Sequence, residues 1–234
     1  MKFLEYTPLS RVAAFLQNVN LGDYVVQGEI QAYSCKLAGV DKKLSCSIDQ
    51  EVVCSLATTP LELLSASPVG PLTDASSRKT LIYLILTLNH SYPDYDFSCL
   101  RAHHFRKEED VRFAKENIDH LLLESAKLWD QGDICDQSER FSEVLWAAVD
   151  EVIGLVDCDV YQYNAIHEGD PFAESGHLWS FNYFFYNKKS KRVVYFSCRS
   201  KSKASIELTA SSDSEYDDME PYEEDPFMDG MELN

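Results

Sequence analysis

Residues 178–187 read Leu178-Trp-Ser-Phe-Asn-Tyr-Phe-Phe-Tyr-Asn187. From Trp179 to Phe185 every second residue is a large aromatic one, and alternation over this length predicts a β-strand. The sequence Asn187-Lys-Lys-Ser-Lys191 then predicts a turn, after which Arg192 to Cys198 returns as the paired strand. The aromatic face of Trp179–Phe185 could be a binding platform, but such a face is more often core, so we predict that it is buried.

The sequence before this hairpin predicts helices and two further strands. Apolar residues at helical spacing predict helices at about 8–19, 76–89, 108–128 and 138–153. Residues rich in β-formers predict strands at Val25–Tyr33 and Cys158–Tyr163. Helices and strands do not alternate regularly, which favours an α+β fold in layers, with a central antiparallel sheet of about five strands flanked by helices.

Composition divides the chain into three parts. Residues 1–205 are predicted to form a single globular domain. A mobile Ser- and Pro-rich insert at about 39–76 interrupts it, where Ser65-Ala-Ser-Pro68 and Gly70-Pro71 act as breakers. The segment Ser211–Asn234 holds ten acidic residues and no basic one. Such a composition buries too little apolar surface to offset chain entropy, so we predict that residues 206–234 form a disordered acidic tail.

Charge and cysteine usage restrict the class of protein. The formal net charge of −18 argues against direct nucleic-acid binding and favours a basic protein partner. The seven cysteines are an odd number without C-x-x-C spacing, which indicates reduced thiols inside a cell. No secretory signal is evident, and the longest apolar stretch, Leu81–Leu88, is too short to span a bilayer. We therefore expect a soluble protein without a membrane partner, and a monomer, since coiled-coil heptads are absent.

No motif in the sequence predicts catalysis or a cofactor. A nucleophile elbow, a P-loop and a dinucleotide fingerprint are all missing. The pairs considered as metal ligands are Asp94-x-Asp96, Asp157-x-Asp159 and His103-His104. The acidic pairs lack a third ligand and the histidines lack zinc spacing, so we predict neither a metal site nor an enzyme.

Several segments in a fixed order resemble one family. They are Tyr33-Ser-Cys-Lys36, Ser77-Arg-Lys-Thr-Leu-Ile-Tyr83 through Leu88-Asn89, Pro93-Asp-Tyr-Asp-Phe-Ser98, Trp146-Ala-Ala-Val-Asp-Glu151, Asp170-Pro-Phe172, the stretch 178–187, and Phe196-Ser-Cys-Arg-Ser200. This set resembles the eukaryotic Maf-type global repressors of RNA polymerase III, which are unrelated to the leucine-zipper Maf factors. The likeness covers about residues 1–200.

The resemblance implies a function and a set of partners. Members of this family bind RNA polymerase III near its clamp and keep it from the promoter-bound initiation factor. Growth-linked kinases phosphorylate the repressor in a mobile insert and weaken the inhibition. The implied partners are therefore the polymerase, its initiation factor, a basophilic kinase of the protein-kinase-A type and a phosphatase. The implied location is the nucleus and the cytoplasm. The surface that contacts the polymerase is not indicated.

Short motifs suggest where phosphorylation occurs. Lys42-Lys-Leu-Ser45 places two bases before a serine, as basophilic kinases prefer, so Ser45 is the first candidate. Weaker candidates are Ser47, Ser65 and Ser67 in the insert, and Ser212 and Ser214 in the tail. The tail serines precede acids, as casein-kinase-2-like enzymes prefer, while the alternative for the tail is a plain solubilising segment.

The sequence allows two interpretations of one basic cluster and two alternative functions for the chain. Lys188, Lys189, Lys191 and Arg192 resemble a nuclear-import signal, although a charged hairpin turn explains them slightly better. A different function for the whole chain is an acidic adaptor or chaperone for basic nuclear proteins. A third is a hydrolase that uses Asp94, Asp96 or a His–Cys pair.

Overall fold

A computed structural model describes residues 1–56, 67–132, 139–164, 170–172 and 177–205. The strands are β1 (Lys2–Leu4), β2 (Val19–Asn20), β3 (Tyr24–Ser34), β4 (Phe105–Lys107), β5 (Asp159–Tyr163), β6 (His177–Asn187) and β7 (Arg192–Ser202). The helices in these ranges are α1 (Thr7–Leu16), α2 (Gly39–Leu56), α3 (Ala75–Ser91), α4 (Val111–Leu121), α5 (Leu123–Gln131) and α6 (Phe141–Ile153).

The strands form one antiparallel sheet. Its order is β1-β3-β7-β6-β5-β4, and β2 also pairs with β3. The predicted hairpin is confirmed, because β6 and β7 pair from Asn187↔Arg192 to His177↔Lys201. The sheet has seven strands where about five were predicted. The three strands whose positions were not predicted, β1, β2 and β4, have only two or three residues each, which is too short to show alternation.

Both faces of the sheet are buried. Phe181, Tyr183 and Phe185 of β6 enter one core with α1, α4, α5 and α6. Phe184 and Tyr186 enter a second core on the opposite face, with α2 and α3. The prediction that the aromatic face is core is therefore confirmed, with Trp179 half-buried at its end. A strand buried on both faces carries apolar residues at successive positions, which explains why Phe184 and Tyr186 are also aromatic.

The largest difference from the sequence prediction is in the segment 39–76. Gly39–Leu56 form helix α2, which differs from the breaker-rich insert predicted over this part. Ile48 and Val52 lie one turn apart and are buried in the second core, which attaches α2 to the sheet layer. Val40, Leu44 and Leu56 continue the same four-residue spacing, so the sequence carries an apolar stripe that the prediction did not use. Residues 57–66, also part of the predicted insert, lie outside the described residues.

Other boundaries differ by a few residues. The helix predicted at 108–128 is two helices, α4 and α5, which meet at Leu122. Leu122 is buried, and its backbone (φ −92°, ψ 5°) leaves the helical range there. No helix among the described residues is long and apolar enough to cross a membrane. The predicted tail, 206–234, lies outside the described residues.

Candidate functional site

Three of the segments that carry the family resemblance meet at the end of α3. They are the loop 93–98 that follows α3, the segment 170–172 that follows β5, and the middle of β7 around Ser197. Tyr92 contacts parts of all three. We call this region the Tyr92 junction.

Backbone hydrogen bonds set the path of the loop 93–98. The Tyr92 N–H donates to the Leu88 carbonyl at 2.8 Å, which ends helix α3. The Phe97 N–H donates to Asn89 Oδ1 at 2.8 Å, which ties the far side of the loop back to the helix. Because both ends are attached to α3, the residues between them project outward.

The outward residues are Asp94, Tyr95 and Asp96. All three are exposed, and Tyr95 is 39% exposed although it is aromatic. The Ser98 N–H donates to Asp96 Oδ1 at 2.9 Å. Hydrogen bonds from the Ser98 side chain and backbone lower the pKa of Asp96, so its carboxylate is ionised at neutral pH. Neither aspartate has an ion pair within the described part of the chain, which leaves two negative charges facing solvent beside an aromatic ring.

The inner side of the junction is aromatic. The Tyr92 ring centroid lies 5.1 Å from that of Phe172, 6.2 Å from that of Phe97 and 6.3 Å from that of Tyr195. Its contacts with Phe172 and Tyr195 are edge-to-face, an arrangement that contributes about 0.5–1.5 kcal/mol per pair beyond area burial. This packing holds the acidic loop on a rigid base.

Buried hydroxyl groups connect the junction to the sheet. The Tyr195 O–H donates to Asn182 Oδ1 at 2.9 Å, and its oxygen lies 3.4 Å from the Tyr92 hydroxyl. The Tyr92 and Ser197 hydroxyls are 3.0 Å apart. Burial raises the pKa of both tyrosines, so the phenols are neutral at pH 7 and act as hydrogen-bonding groups.

Asp170 fixes the second segment of the junction. Its side chain is buried, accepts a hydrogen bond from the Tyr163 hydroxyl and accepts another from the Phe172 N–H at 3.0 Å. Arg199 Nη1 donates to the Pro171 carbonyl at 3.2 Å. These bonds place Phe172 against Tyr92, so the Asp-Pro-Phe segment has a structural role.

A cleft of about 220 Å³ opens beside the junction. Tyr92, Phe172, Ser197, Arg199 and Glu29 border it. Burial raises the pKa of Glu29, and the nearby Arg199 opposes this shift. The cleft thus contains one carboxyl group, one guanidinium group and neutral hydroxyls.

This geometry suits binding better than catalysis. The two aspartates proposed for a hydrolase point to solvent on an exposed loop, away from the cleft. Burial raises the pKa of Cys35 and of Cys158 to about 12, so neither is a thiolate at neutral pH. The described ranges contain no cluster of three His, Cys, Asp or Glu side chains that could hold a metal ion.

The second acidic pair and the basic turn neutralise each other. Lys188 Nζ lies 3.1 Å from Asp159, and Lys189 Nζ lies 2.6 Å from Asp157. Burial raises the pKa of Asp159, but its bonds to Lys107 and Lys188 outweigh this effect and lower it overall. The carboxylates of Asp157 and Asp159, considered above as metal ligands, are thus paired with lysines.

The rest of the basic cluster is part of the hairpin turn. Lys191 has a positive φ of 53°, and Arg192 Nη1 donates to the Val152 carbonyl at 2.8 Å. This geometry supports the charged-turn interpretation of the cluster over an extended import signal.

The paired histidines have a structural environment. His104 is buried, and its Nδ1 accepts a hydrogen bond from the Arg101 N–H at 2.8 Å. The ring of His103 lies 4.0 Å from that of His104, centroid to centroid.

The structure places the candidate phosphorylation sites in different environments. Ser45 is half-buried and Ser47 exposed, and both lie within α2. Ser67 is half-buried as a residue, and its hydroxyl has no hydrogen-bond partner among the described residues. The remaining candidates, Ser65, Ser212 and Ser214, lie outside the described residues.

Sequence reasoning did not identify the central residues of the junction. Tyr92, Asp170, Tyr195 and Glu29 were not predicted to lie together. The only available signal was that two family-like segments, 93–98 and 170–172, are rich in turn residues and aromatic rings and belong to no predicted helix or strand.

Comparisons with known proteins agree with this arrangement. The model of the family described as "Maf1 regulator" matches residues 26–197. The chain is 33% identical to a repressor of RNA polymerase III transcription from Dictyostelium discoideum, over 88% of this chain and 87% of that protein. It is also 33% identical to the corresponding repressor from Schizosaccharomyces pombe, over 84% of this chain and 82% of that protein.

Solved structures show the same likeness. A crystal structure of citrus MAF1 superposes with a TM-score of 0.67 at 40% sequence identity, covering 84% of this chain and 99% of that one. A second crystal form gives a TM-score of 0.69 at the same identity, over 83% of this chain. With the family model matching most of the chain and relatives aligned over nearly their whole length, this chain belongs to the Maf1 regulator family.

Proposed function

We propose that this protein represses transcription by RNA polymerase III, and that it does so by binding the polymerase without catalysing a reaction. Binding prevents the polymerase from engaging the promoter-bound initiation factor. The observation that carries the proposal is the acidic loop of the Tyr92 junction, which is exposed, rigidly attached and unpaired in charge. Membership of a family whose relatives are named repressors of RNA polymerase III supports the same function.

Electrostatics identifies the chemistry of the contact. Asp94 and Asp96 present two carboxylates on either side of Tyr95. Charged rims steer association and set specificity, while a desolvated aromatic ring contributes affinity. The loop therefore fits a surface with basic residues around an apolar pocket, and the net charge of −18 favours approach to such a surface.

Phosphorylation of Ser45 by a basophilic kinase is the control that we propose, with a phosphatase reversing it. Asp41 and Asp49 lie one helical turn before and after Ser45, on the same side of α2. A phosphate adds a charge of about −1.5 to −2 between these carboxylates, which destabilises the helix. Because Ser45 lies within a helix, the kinase must act when α2 is locally open.

Repression and its control also imply two cellular locations. We propose that the protein moves between cytoplasm and nucleus. The segment 188–192 is a weaker candidate for the import signal than the sequence suggested, because Lys188 and Lys189 are held in ion pairs at the hairpin turn.

The test is binding of the purified chain to purified RNA polymerase III, with promoter-dependent transcription measured in parallel. The test variant is Asp94→Asn/Asp96→Asn, because asparagine keeps a side-chain oxygen for the Ser98 N–H. The control is Glu116→Gln/Glu143→Gln, which removes two exposed charges from the helices on the other face of the sheet. We expect at least about tenfold weaker binding for the test variant only, and an affinity that falls with salt.

Two results would contradict parts of the proposal. Equal binding by both variants would place the contact elsewhere on the chain. Absence of binding by the unmodified chain would refute polymerase repression by direct contact. A Ser45→Glu variant with unchanged repression would move the control to another residue.

A second candidate function is supported by the ten acidic residues of Ser211–Asn234. An acidic adaptor or chaperone for basic nuclear proteins would depend on this segment. Deleting residues 206–234 should abolish binding of the chain to histones if that function is correct, and should leave most polymerase binding if the first one is.

A further inference from the structure

Strand β3 has an open edge in its middle. On one side it pairs with β7 along its whole length. On the other side, β1 pairs with residues 32–34 and β2 pairs with residues 25–26. Among the described residues no strand pairs with Gln27–Gln31 on that side.

The open edge exists because the chain leaves the sheet there. After β1 it forms helix α1, and it returns to the edge only at β2. The gap spans five residues of β3, or roughly 16 Å at the rise of a β-strand. Both ends of the gap are bounded by paired strands, so the gap has a defined length.

The direction of the backbone groups follows from the neighbouring bonds. The Tyr24 carbonyl accepts a hydrogen bond from the Leu21 N–H at 2.9 Å, on the β2 side. In an antiparallel sheet, alternate residues direct their N–H and C=O groups to the same side. Gly28 and Ile30 therefore direct two N–H and two C=O groups to the open side, the pattern that pairs with an added strand.

A groove of about 380 Å³ lies along this edge. One wall is the edge of β3 and the other is the face of α1 that carries Ser10, Ala13 and Ala14. These small side chains leave room between helix and strand. Gly28 sets the close approach of α1, because a Cβ at this position would lie 3.0 Å from Leu16 Cβ. A groove between a helix and an unpaired strand edge is the shape that accepts an extended peptide.

We propose that this groove binds an extended basic segment of a partner protein, which adds to β3 as a short strand. Side chains of the added strand alternate between the two faces of the sheet. Those opposite Gly28 and Ile30 point toward α1 and are small or apolar. Those opposite Glu29 lie on the other face and are lysine or arginine.

The charge of the groove indicates that the bound segment is basic. Glu29 is the charged residue that lines the groove. Its carboxylate is half-buried, accepts a hydrogen bond from Gln31 Nε2, and has no ion pair within the described part of the chain. Arg199 acts on this carboxylate electrostatically without forming an ion pair among the described residues, so a lysine or arginine brought beside it adds a direct charge-assisted hydrogen bond. The proposal does not depend on the acidic loop, although Glu29 also borders the cleft beside the Tyr92 junction.

The test uses the full chain and a blocked seven-residue peptide of alternating valine and lysine. Binding is measured by calorimetry. In an antiparallel addition the valine amides face β3, so a peptide N-methylated at its valines should bind at least about tenfold more weakly. A peptide N-methylated at its lysines should bind like the parent, because those N–H groups point away from β3.

Variants of the chain locate the site. Ala14→Trp fills the groove from α1 and should abolish binding, whereas Asn18→Trp, exposed and outside the groove, should not. Glu29→Gln should weaken binding of the parent peptide about tenfold. Unfolding curves of all three variants establish that they fold.

Three outcomes would overturn the proposal. Equal binding of both methylated peptides would show a charge effect without strand addition. Binding unchanged by Ala14→Trp would place the peptide elsewhere. Self-association of the chain that Ala14→Trp removes, without peptide binding, would assign the edge to a second copy of the chain.

Discussion

Arg78 provides the sharpest test of how the segment before α3 is held. Its side chain lies in the first turns of α3 and is 14% exposed. Nε donates to Asp49 Oδ1 of α2 at 2.7 Å. Nη1 donates to the carbonyls of Leu72 at 3.0 Å and of Thr73 at 2.9 Å. One guanidinium group thus connects α2, the turn before α3 and α3 itself.

The expected cost of removing it follows from these three bonds. A hydrogen bond to a charged group contributes about 1.5–3 kcal/mol when it is shielded from water. Asp49 is 42% exposed, so solvent replaces part of the ion pair when the arginine is lost. We therefore expect Arg78→Met to lower the free energy of unfolding by about 2–4 kcal/mol, below the simple sum of three bonds. Arg78→Lys should cost about half as much, because one ammonium group cannot reach three acceptors.

Urea unfolding measures the total loss in free energy of unfolding, and hydrogen exchange shows which elements lose stability. Amides of α2 should exchange faster in Arg78→Met, while those of β6 and β7 follow the global stability. A double-mutant cycle with Asp49→Asn isolates the ion pair and should give a coupling of about 0.5–1.5 kcal/mol. An unfolding free energy for Arg78→Met within about 0.5 kcal/mol of the unmodified chain would refute the reasoning, as would zero coupling.

Three other predictions concern the cleft and the junction. Burial raises the folded pKa of Glu29 above the unfolded value of about 4.3, so ionising it costs stability as pH rises. Glu29→Gln should therefore gain stability over the unmodified chain between pH 4 and 7 in urea unfolding, and a constant difference would contradict this. Phe97→Ala should lower the free energy of unfolding by about 3–5 kcal/mol because Phe97 is buried. Tyr95→Ala should lower it by under about 1 kcal/mol. Equal decreases for the two variants would be inconsistent with the packing. Asp170→Ala leaves the Tyr163 hydroxyl and the Phe172 N–H without an acceptor. It should lower the free energy of unfolding in urea by about 2–5 kcal/mol. A decrease under about 0.5 kcal/mol would contradict this prediction.

The hairpin of β6 and β7 could be predicted from sequence for a physical reason. Each strand is long enough to show its pattern, and the basic turn between them interrupts the apolar residues. Strands of two or three residues carry no such signal, so β1, β2 and β4 were missed. They exist because longer neighbours supply their hydrogen bonds, which is information from tertiary structure.

Helix α2 was not predicted from the sequence. Its sequence, Gly39–Leu56, contains serines, cysteines and charges, with Ile48 and Val52 as its buried residues. Most of its stability comes from packing on α3 and from ion pairs such as Asp49–Arg78. The apolar residues at every fourth position from Val40 to Leu56 could have indicated a helix, but the surface on which it packs is absent from the local sequence.

The site was harder to predict than the fold, since its residues come together from distant parts of the chain. Tyr92 and Ser197 are 105 positions apart, and Tyr92 and Tyr195 are 103 apart. The segments 93–98 and 170–172 could be noted as family-like from the sequence. Both segments contact Tyr92 and Tyr163, and this meeting depends on the sheet, which places β5 and β7 on either side of β6.

Burial separates the structural from the binding part of the family-like segments. Phe181 to Tyr186 are buried between two layers, and Asp170 and Phe172 hold each other and the junction in place, so packing alone accounts for these residues. It does not account for Tyr95, an aromatic ring kept at the surface between two charges on a rigid loop. One side of its ring contacts Tyr92 and Phe97, and the exposed remainder is apolar surface that a partner could cover. The exposed residues of the loop 93–98 are therefore the part of the family-like segments that we propose for binding, while Phe97 belongs to the core.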